Sequence, residues 1–393
     1  MKLNFRAPRG NLNFGQDIPL GLYIHTPWCE KKCPYCDFNS HPLRAPIPET
    51  LYLEQLLKDL ENTLPAIWGR RISTIFIGGG TPSLLSGAFY EALLAGIRAR
   101  VGLLPDAEIT LEANPGSAEV SKFAAFRDAG INRISIGAQS FSNAQLKTLG
   151  RIHDRSAALE AFAQAKAAGF TNINCDIMFA LPGQSVGEAM LDLQTAIDLE
   201  TSHLSWYQLT LEPNTAFHHQ PPPHLPDEGL QADIFETGLE KLSASGFSRY
   251  EISAYHRDKP CYHNIGYWSF GDYVGIGAGA HGKLSRPDLG QLHRTTKPRH
   301  PKAYLEDCEA TTTVVAPEEI PFEFMLGACR LKEGFTLMDY ESRTGLSRET
   351  LLPTLAKAQA NGWVAPIHGD KVQLTDSGYR LADSVVSLFL KDD

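Results

Sequence analysis

Six short apolar runs are spaced along the first half of the chain: "GLYIHTP" (21–27), "ISTIFIGGG" (72–80), "AEITLEANP" (107–115), "INRISIGAQS" (131–140), "FTNINCDIMFALPG" (170–183) and "HLSWYQLTLEP" (203–213). They are rich in Ile, Thr, Tyr and Phe, and most stop at Gly or Pro, as buried strands do. Amphipathic stretches lie between them, among them "PETLYLEQLLKDLENTL" and "RSAALEAFAQAKAAG", which read as helices. Strand–helix alternation predicts an α/β fold with a parallel sheet. Six units rather than eight predict an open, partial (β/α)6 barrel.

The pattern then changes. "HHQPPPHLP" (218–226) reads as a loop, because its prolines continue neither a helix nor a central strand. A helix over about 227–245 follows, then the aromatic-rich "RYEISAYHRDKPCYHNIGYWSFGDYVGIGAGAHG". From Pro317 three helical stretches, the first closed by Gly334, precede a hairpin in "VAPIHGDKVQLTDSG" with Gly-Asp at its turn, and a last helix. That order predicts a winged-helix-like domain. The expected organisation is an arm over 1–17, the partial barrel over 18–225, a connecting segment over 226–312 and the winged-helix-like domain over 313–393.

Charge narrows the function. The net charge is −9, which argues against sequence-blind binding to nucleic acid. Residues 317–393 carry 8 Lys+Arg against 12 Asp+Glu, so the winged-helix-like domain is expected to pack against protein rather than read DNA. No apolar stretch has the ~18–20 residues of a membrane span, and "MKLNFRAPRGNLNFGQ" lacks the apolar centre of a secretory signal. Seven cysteines, three of them within eight residues, make a poor disulfide framework; reduced thiols and a cytoplasmic location are expected.

Those three, Cys29, Cys33 and Cys36 in "WCEKKCPYCDF", are spaced C-x3-C-x2-C. Lys31 and Lys32 are expected to favour the thiolate, the form that binds metal. Two readings stay open on the residues alone. A Cys3His zinc site would take His25 or His41 as its fourth ligand. A four-iron, four-sulfide cubane would use three thiolates and leave one iron open. Pro34 and the preceding strand place the run on a loop at a strand's C-terminal end, where ligands gather in parallel α/β folds.

With Tyr35 before its last cysteine, the run resembles the cluster loop of the radical S-adenosylmethionine superfamily. That resemblance implies a 4Fe-4S cluster on Cys29, Cys33 and Cys36, with S-adenosylmethionine on the open iron. It extends to "IFIGGGTPSLL", where Gly79 and Gly80 lack a Cβ and let backbone approach the nucleotide, and Thr81 adds a hydroxyl. It also implies cofactor contacts for Tyr23, Tyr35, Glu112 in "LEANP", Gln139 in "SIGAQSF", Arg151 in "LGRIHD" and Asp176 in "NCDIMFALPGQ". A buried carboxylate without a partner is costly; Asp176 therefore either pairs, with Arg151 as the candidate, or binds ligand.

The whole chain resembles the anaerobic coproporphyrinogen III oxidase group, and within it the HemW-type haem chaperones. The oxidases carry a further cysteine two residues after the third ligand; here that residue is Phe38. The oxidases also carry a long N-terminal extension, whereas here about twenty residues precede the first expected strand. "HNIGYW" matches the H-N-x-x-Y-W pattern of the chaperone branch, which implies haem contacts for His263, Asn264, Tyr267 and Trp268. Imidazole is the commonest axial base, and the two aromatic rings offer stacking surfaces. Cys261 is a second candidate ligand. His25 and His281 are expected to line the cofactor pocket or orient loops. Two functions follow from the resemblance: a carrier that hands haem to a respiratory or other haem protein and draws on an electron donor, or radical decarboxylation of coproporphyrinogen III.

Overall fold

A computed structural model describes residues 10–390, apart from the side chains of Ser117 and Ala118. Residues 1–9 of the expected arm lie outside the described residues. The six expected strands form: β1 (Leu20–Thr26), β2 (Ile72–Gly79), β3 (Leu103–Ala113), β4 (Arg133–Gln139), β5 (Asn172–Phe179) and β6 (His203–Gln208). They pair in parallel and in sequence order. Helices such as Glu49–Thr63, Gly87–Arg98 and Arg155–Ala167 connect them.

One alternation builds both faces of this sheet, because successive strand side chains point to opposite sides. Leu22, Ile24, Ile75, Ile77, Ile109, Leu111, Ile134, Ile136, Ile173 and Trp206 pack in the main core with Tyr52, Leu56, Leu93 and Ile97 of the helices. The intervening residues face the barrel interior and are polar: Glu108, Thr110 and Glu112 on β3, Arg133 and Ser135 on β4, Asn174 and Asp176 on β5. Several of them bond one another, while Thr110 Oγ1 and Arg133 Nε have no partner among the described residues. Asp176 accepts from Ser135 Oγ and Asn174 Nδ2, each at 2.8 Å, and His203 Nδ1 lies 2.6 Å from Asn174 Oδ1.

The segment 226–312 supplies both edges of the sheet. β7 (Ser248–Glu251) and β8 (Ala254–His256) add antiparallel beyond β6; β9 (Asp272–Ile276) pairs in parallel with β1. β10 (His281–Arg286), β11 (Gln291–Thr296) and β12 (Thr311–Val314) continue antiparallel. The order β12-β11-β10-β9-β1-β2-β3-β4-β5-β6-β8-β7 is open-ended, so the barrel does not close. A buried ion pair secures the β9–β10 corner. Asp272 accepts from Arg70 Nη1 at 2.7 Å and from Ser285 N at 3.0 Å, and its Oδ1 lies 3.1 Å from Lys283 Nζ. Burial raises the Asp272 pKa, but Lys283 and Arg70 outweigh it and hold the carboxyl below the usual range.

The C-terminal domain has its own core around Phe324, Tyr340, Leu355 and Val385. Its first helix, Ile320–Ala328, ends six residues before Gly334 rather than at it. Gly334 instead turns the chain, at φ +68°, into a strand Phe335–Thr336 that pairs with Lys371–Val372 of the hairpin. Residues of the arm bind this domain to the sheet: Gly10 N and Leu12 N donate to Leu289 O and Gly290 O, while Asn13 N and Gly15 N donate to Gly345 O and Ser342 O. Leu12, Phe14 and Ile18 are buried in the C-terminal core. Within the expected 218–226 loop, His218 and His219 end a helical turn, Ala216–His219, whose Phe217 N donates to Pro34 O at 3.0 Å. Among the described residues no helix is long and apolar enough to cross a membrane.

Candidate cofactor sites at the strand ends

The cysteine run leaves β1 at Pro27 and is closed at its base by a two-residue ladder, Trp28–Cys29 against His41–Pro42. His41 N donates to Pro27 O and Leu43 N to Cys29 O, so backbone bonds, not thiols, hold the loop. All three cysteines are free. Polar groups stand against the thiols, among them Thr81 Oγ1 at 3.5 Å from Cys29 Sγ, Arg151 Nη1 at 3.7 Å from Cys33 Sγ, and Ser40 Oγ at 3.9 Å from Cys36 Sγ. Burial pushes the Cys29 and Cys36 thiols up. Lys32 pulls Cys36 down more weakly, so the expected ionisation by the neighbouring lysines does not dominate. His25 and His41, candidate fourth ligands for zinc, are turned elsewhere. His25 lies between Tyr23 Oη and Asn39 O, at 2.8 Å from each, and His41 packs edge-on against His300. Among the described residues no three Cys, His, Asp or Glu side chains converge as a single ion requires.

The thiols open onto a cavity of 330 Å³ at the C-terminal ends of β2 to β6. Tyr35, Gly79, Gly80, Thr81, Glu112, Gln139, Arg151 and Asp176 all line it. The glycines serve the loop as well as the cavity: a Cβ on Gly79 (φ +114°) would meet the His25 ring at 2.6 Å, and one on Gly80 would meet Trp28 O at 2.4 Å. The missing Cβ atoms are thus required by the loop's own packing, while both glycines also border the cavity. Arg151 does not pair with Asp176. Its Nη2 donates to Asn114 Oδ1 at 2.6 Å and Gly137 O at 2.8 Å, while Asp176 is satisfied by Ser135 and Asn174. The Arg151 Nε, buried and without a partner, is a spare donor for an anionic or hydroxyl-bearing ligand. Gln139 has a left-handed φ of +67°, and its Oε1 accepts from Tyr207 at 2.6 Å. Such strain in a non-glycine residue collects at functional sites.

Glu112 accepts from Gly79 N at 3.1 Å. Burial, then the nearby Asp176, push its pKa up to about 8. Between about 4.5 and 8 the folded chain therefore holds a proton that the unfolded chain has lost, and stability falls as pH rises through that window. Glu112→Gln should raise the melting temperature of the cofactor-free chain at pH 8 and change it little at pH 4.5. Equal shifts at both values would contradict this origin.

Tyr23 faces a second cavity. It measures 860 Å³ and adjoins the first through Asp37, Phe38, Gly79 and Glu112, which line both. The four motif residues are not brought together. Asn264, Tyr267 and Trp268, on the helix Tyr262–Trp268, line the large cavity, as does His281. His263 instead lines a separate cavity of 410 Å³ near the other end of the sheet. It is 2 % exposed, stacks on Phe76, and places Nδ1 2.8 Å from Thr74 Oγ1. Its Nε2 has no partner among the described residues, and burial with Arg133 pushes its pKa down to about 3, so the ring is neutral. Tyr267 lines both cavities, its ring edge-on to His263 at 4.6 Å. Cys261, a candidate ligand on the sequence, lines none of these three. It is fully buried, its thiol donates to Glu108 Oε1 at 3.3 Å, and burial pushes its pKa up to about 12.

Asn114, two residues after Glu112 in "LEANP", and Tyr207, the inward neighbour of core Trp206, line the cavity too and were not among the expected site residues. Both follow from strand alternation once the outward residues are known.

Comparison with known proteins agrees with this geometry. Residues 23–195 match the radical SAM superfamily model and 315–381 the HemN C-terminal domain model. The chain is 48% identical over 377 residues to the protein named heme chaperone HemW of Escherichia coli (strain K12), covering 95% of this chain and 99% of that one. It is 33% identical over 381 residues to heme chaperone HemW of Bacillus subtilis (strain 168), covering 94% and 98%. The solved structure of coproporphyrinogen III oxidase (HemN) from Escherichia coli, a radical SAM enzyme, shares the fold at a TM-score of 0.78 and 22% identity, over 95% of this chain and 90% of that one. With full-length relatives at this identity and a free three-cysteine loop at the strand ends, the chain belongs to the HemW family of the radical SAM superfamily.

Proposed function

We propose that this chain is a haem carrier that binds a 4Fe-4S cluster, S-adenosylmethionine and haem, and passes haem to an acceptor haem protein. The observation that carries the reading is the pair of adjoining cavities. One is edged by three free thiols; the other, at 860 Å³, is within the ~300–1,000 Å³ of cofactor pockets and bears the motif's aromatic rings. Cys29, Cys33 and Cys36 would hold the cluster. Glu112, Gln139, Arg151 and Asp176 would surround the nucleotide, with the unpartnered Arg151 Nε fitting its polar groups. Such a cluster, when bound, supplies a low-potential electron.

Asn264, Tyr267 and Trp268 would face the haem. His263, neutral and with Nε2 unpaired, is the motif's one imidazole, and Tyr267 separates it from the large cavity. Haem added to the native chain should give a Soret band, and Trp268→Ala, which removes a ring lining the large cavity, should weaken binding about tenfold, the ~1.4 kcal/mol that one decade of affinity represents, whereas His263→Ala, outside that cavity, should weaken it less. A native chain that binds no haem, and converts coproporphyrinogen under reducing conditions, would replace the carrier with the decarboxylase.

A further inference from the structure

The outer wall of the large cavity carries charge that the protein itself leaves uncompensated. β10, β11 and the loop after them place His281, Lys283, Arg294 and Arg299 on that wall. Two of these are neutralised. Lys283 is buried against Asp272, and Arg294 donates from Nε (3.1 Å) and Nη2 (2.5 Å) to Glu323. Arg299 makes no ion pair among the described residues, and its side chain is exposed. Its backbone is nonetheless fixed: Asn39 Nδ2 donates to Arg299 O at 2.8 Å and to Ala278 O at 3.0 Å, so the guanidinium springs from a tethered point.

The neighbouring imidazole registers the same field. Burial, then Arg299 and Arg294, push the His281 pKa down. Tyr23, Phe38, Tyr267 and Trp268 also line the cavity, as do the carboxylates Asp37, Glu112 and Glu323. The space thus combines aromatic surface with one guanidinium, Arg299, that has no ion-pair partner among the described residues. A flat apolar ligand with carboxylates along one margin meets both, and a guanidinium is the cation best shaped for a carboxylate.

We propose that Arg299, with His281 beside it, is the carboxylate-recognising edge of the large cavity, so that the site selects tetrapyrroles bearing free propionates. This rests on the haem-carrier reading. The competing role for the same charge is to favour thiolates in the cysteine loop that Asn39 follows.

The test titrates ferric haem and haem dimethyl ester onto the full, anaerobically reconstituted chain, reading Soret absorbance, with iron counted in every sample. The native chain should prefer haem to the ester by roughly tenfold. Arg299→Gln should bring haem down to the level of the ester while leaving the ester and the iron content unchanged, and Arg299→Lys should keep part of the preference. Undiminished haem binding in Arg299→Gln, equal weakening of both ligands, or a fall in its iron content overturns the assignment and leaves the carrier reading standing. A native chain that binds neither ligand overturns the carrier reading, and this assignment with it.

Discussion

Cys33→Ala, reconstituted anaerobically with iron and sulfide, should retain only background metal, where the native chain should take up about four irons and four sulfides. The effect is close to all-or-none because the loop offers no spare thiolate. Only three thiols edge the cavity, Phe38 stands two residues after the last, and His25 is engaged by Tyr23 and Asn39. With one thiolate gone, two remain for a cluster that already leaves one iron without a protein ligand. The variant should fold normally, since the loop's base is a backbone ladder and Arg151 keeps its bonds to Asn114 and Gly137. Its far-ultraviolet circular dichroism should match the native chain. A variant that keeps full iron, or a native chain that takes up one zinc instead, would remove the basis for the cluster.

Asp272→Ala should lower unfolding free energy by about 3–5 kcal/mol, the usual cost of leaving one member of a buried ion pair alone. Against a typical total of ~5–15 kcal/mol this is a large share, visible as a lower urea midpoint. Lys283 is 1 % exposed. Burial already pulls its pKa down to about 8 despite Asp272; without that carboxylate it is a buried cation with only Phe270 O at 2.8 Å and the Phe270 ring beneath it. Adding Lys283→Met should recover part of the loss, because removing both charges is far milder than removing one. The pH signature has a definite sign. Asp272, held below its usual pKa, contributes stability that is present above about 3.8 and lost as pH falls through its depressed value. Lys283, lowered to about 8, is protonated in the unfolded chain before the folded one, so stability rises with pH between about 8 and 10.5. A midpoint unchanged in the single variant would show that the β9–β10 corner does not depend on this pair.

The barrel strands could be read from the chain because one physical rule writes them. Ile134 and Ile136 are apolar since they meet helices; Arg133 and Ser135 are polar since they line the interior. The cysteine spacing was legible for a similar reason, being local to one loop. What escaped is non-local. "GDYVGIGAGAHG" is too rich in glycine to show alternation, so neither β9 nor its partnership with β1, some 250 residues earlier, has a local signal. Nor could spacing tell that Arg151 would choose Asn114 over Asp176, since Arg151 follows the helix Asn143–Thr148, Asn114 follows β3 and Asp176 lies within β5. His263 was visible as a histidine among aromatics, but a seven-residue helix has no strong face of its own. Thr74 and Phe76, far off in sequence, decide which way the ring turns.

The stitching of residues 10–15 to both Leu289–Gly290 and Ser342–Gly345 sets a timetable for biosynthesis. In synthesis residues 10–15 precede their second set of partners by more than three hundred residues, roughly 15–65 s at about 5–20 residues per second. Most of the core that buries Leu12, Phe14 and Ile18 is made after residue 315, so these apolar side chains wait for the C-terminal domain before they are fully covered.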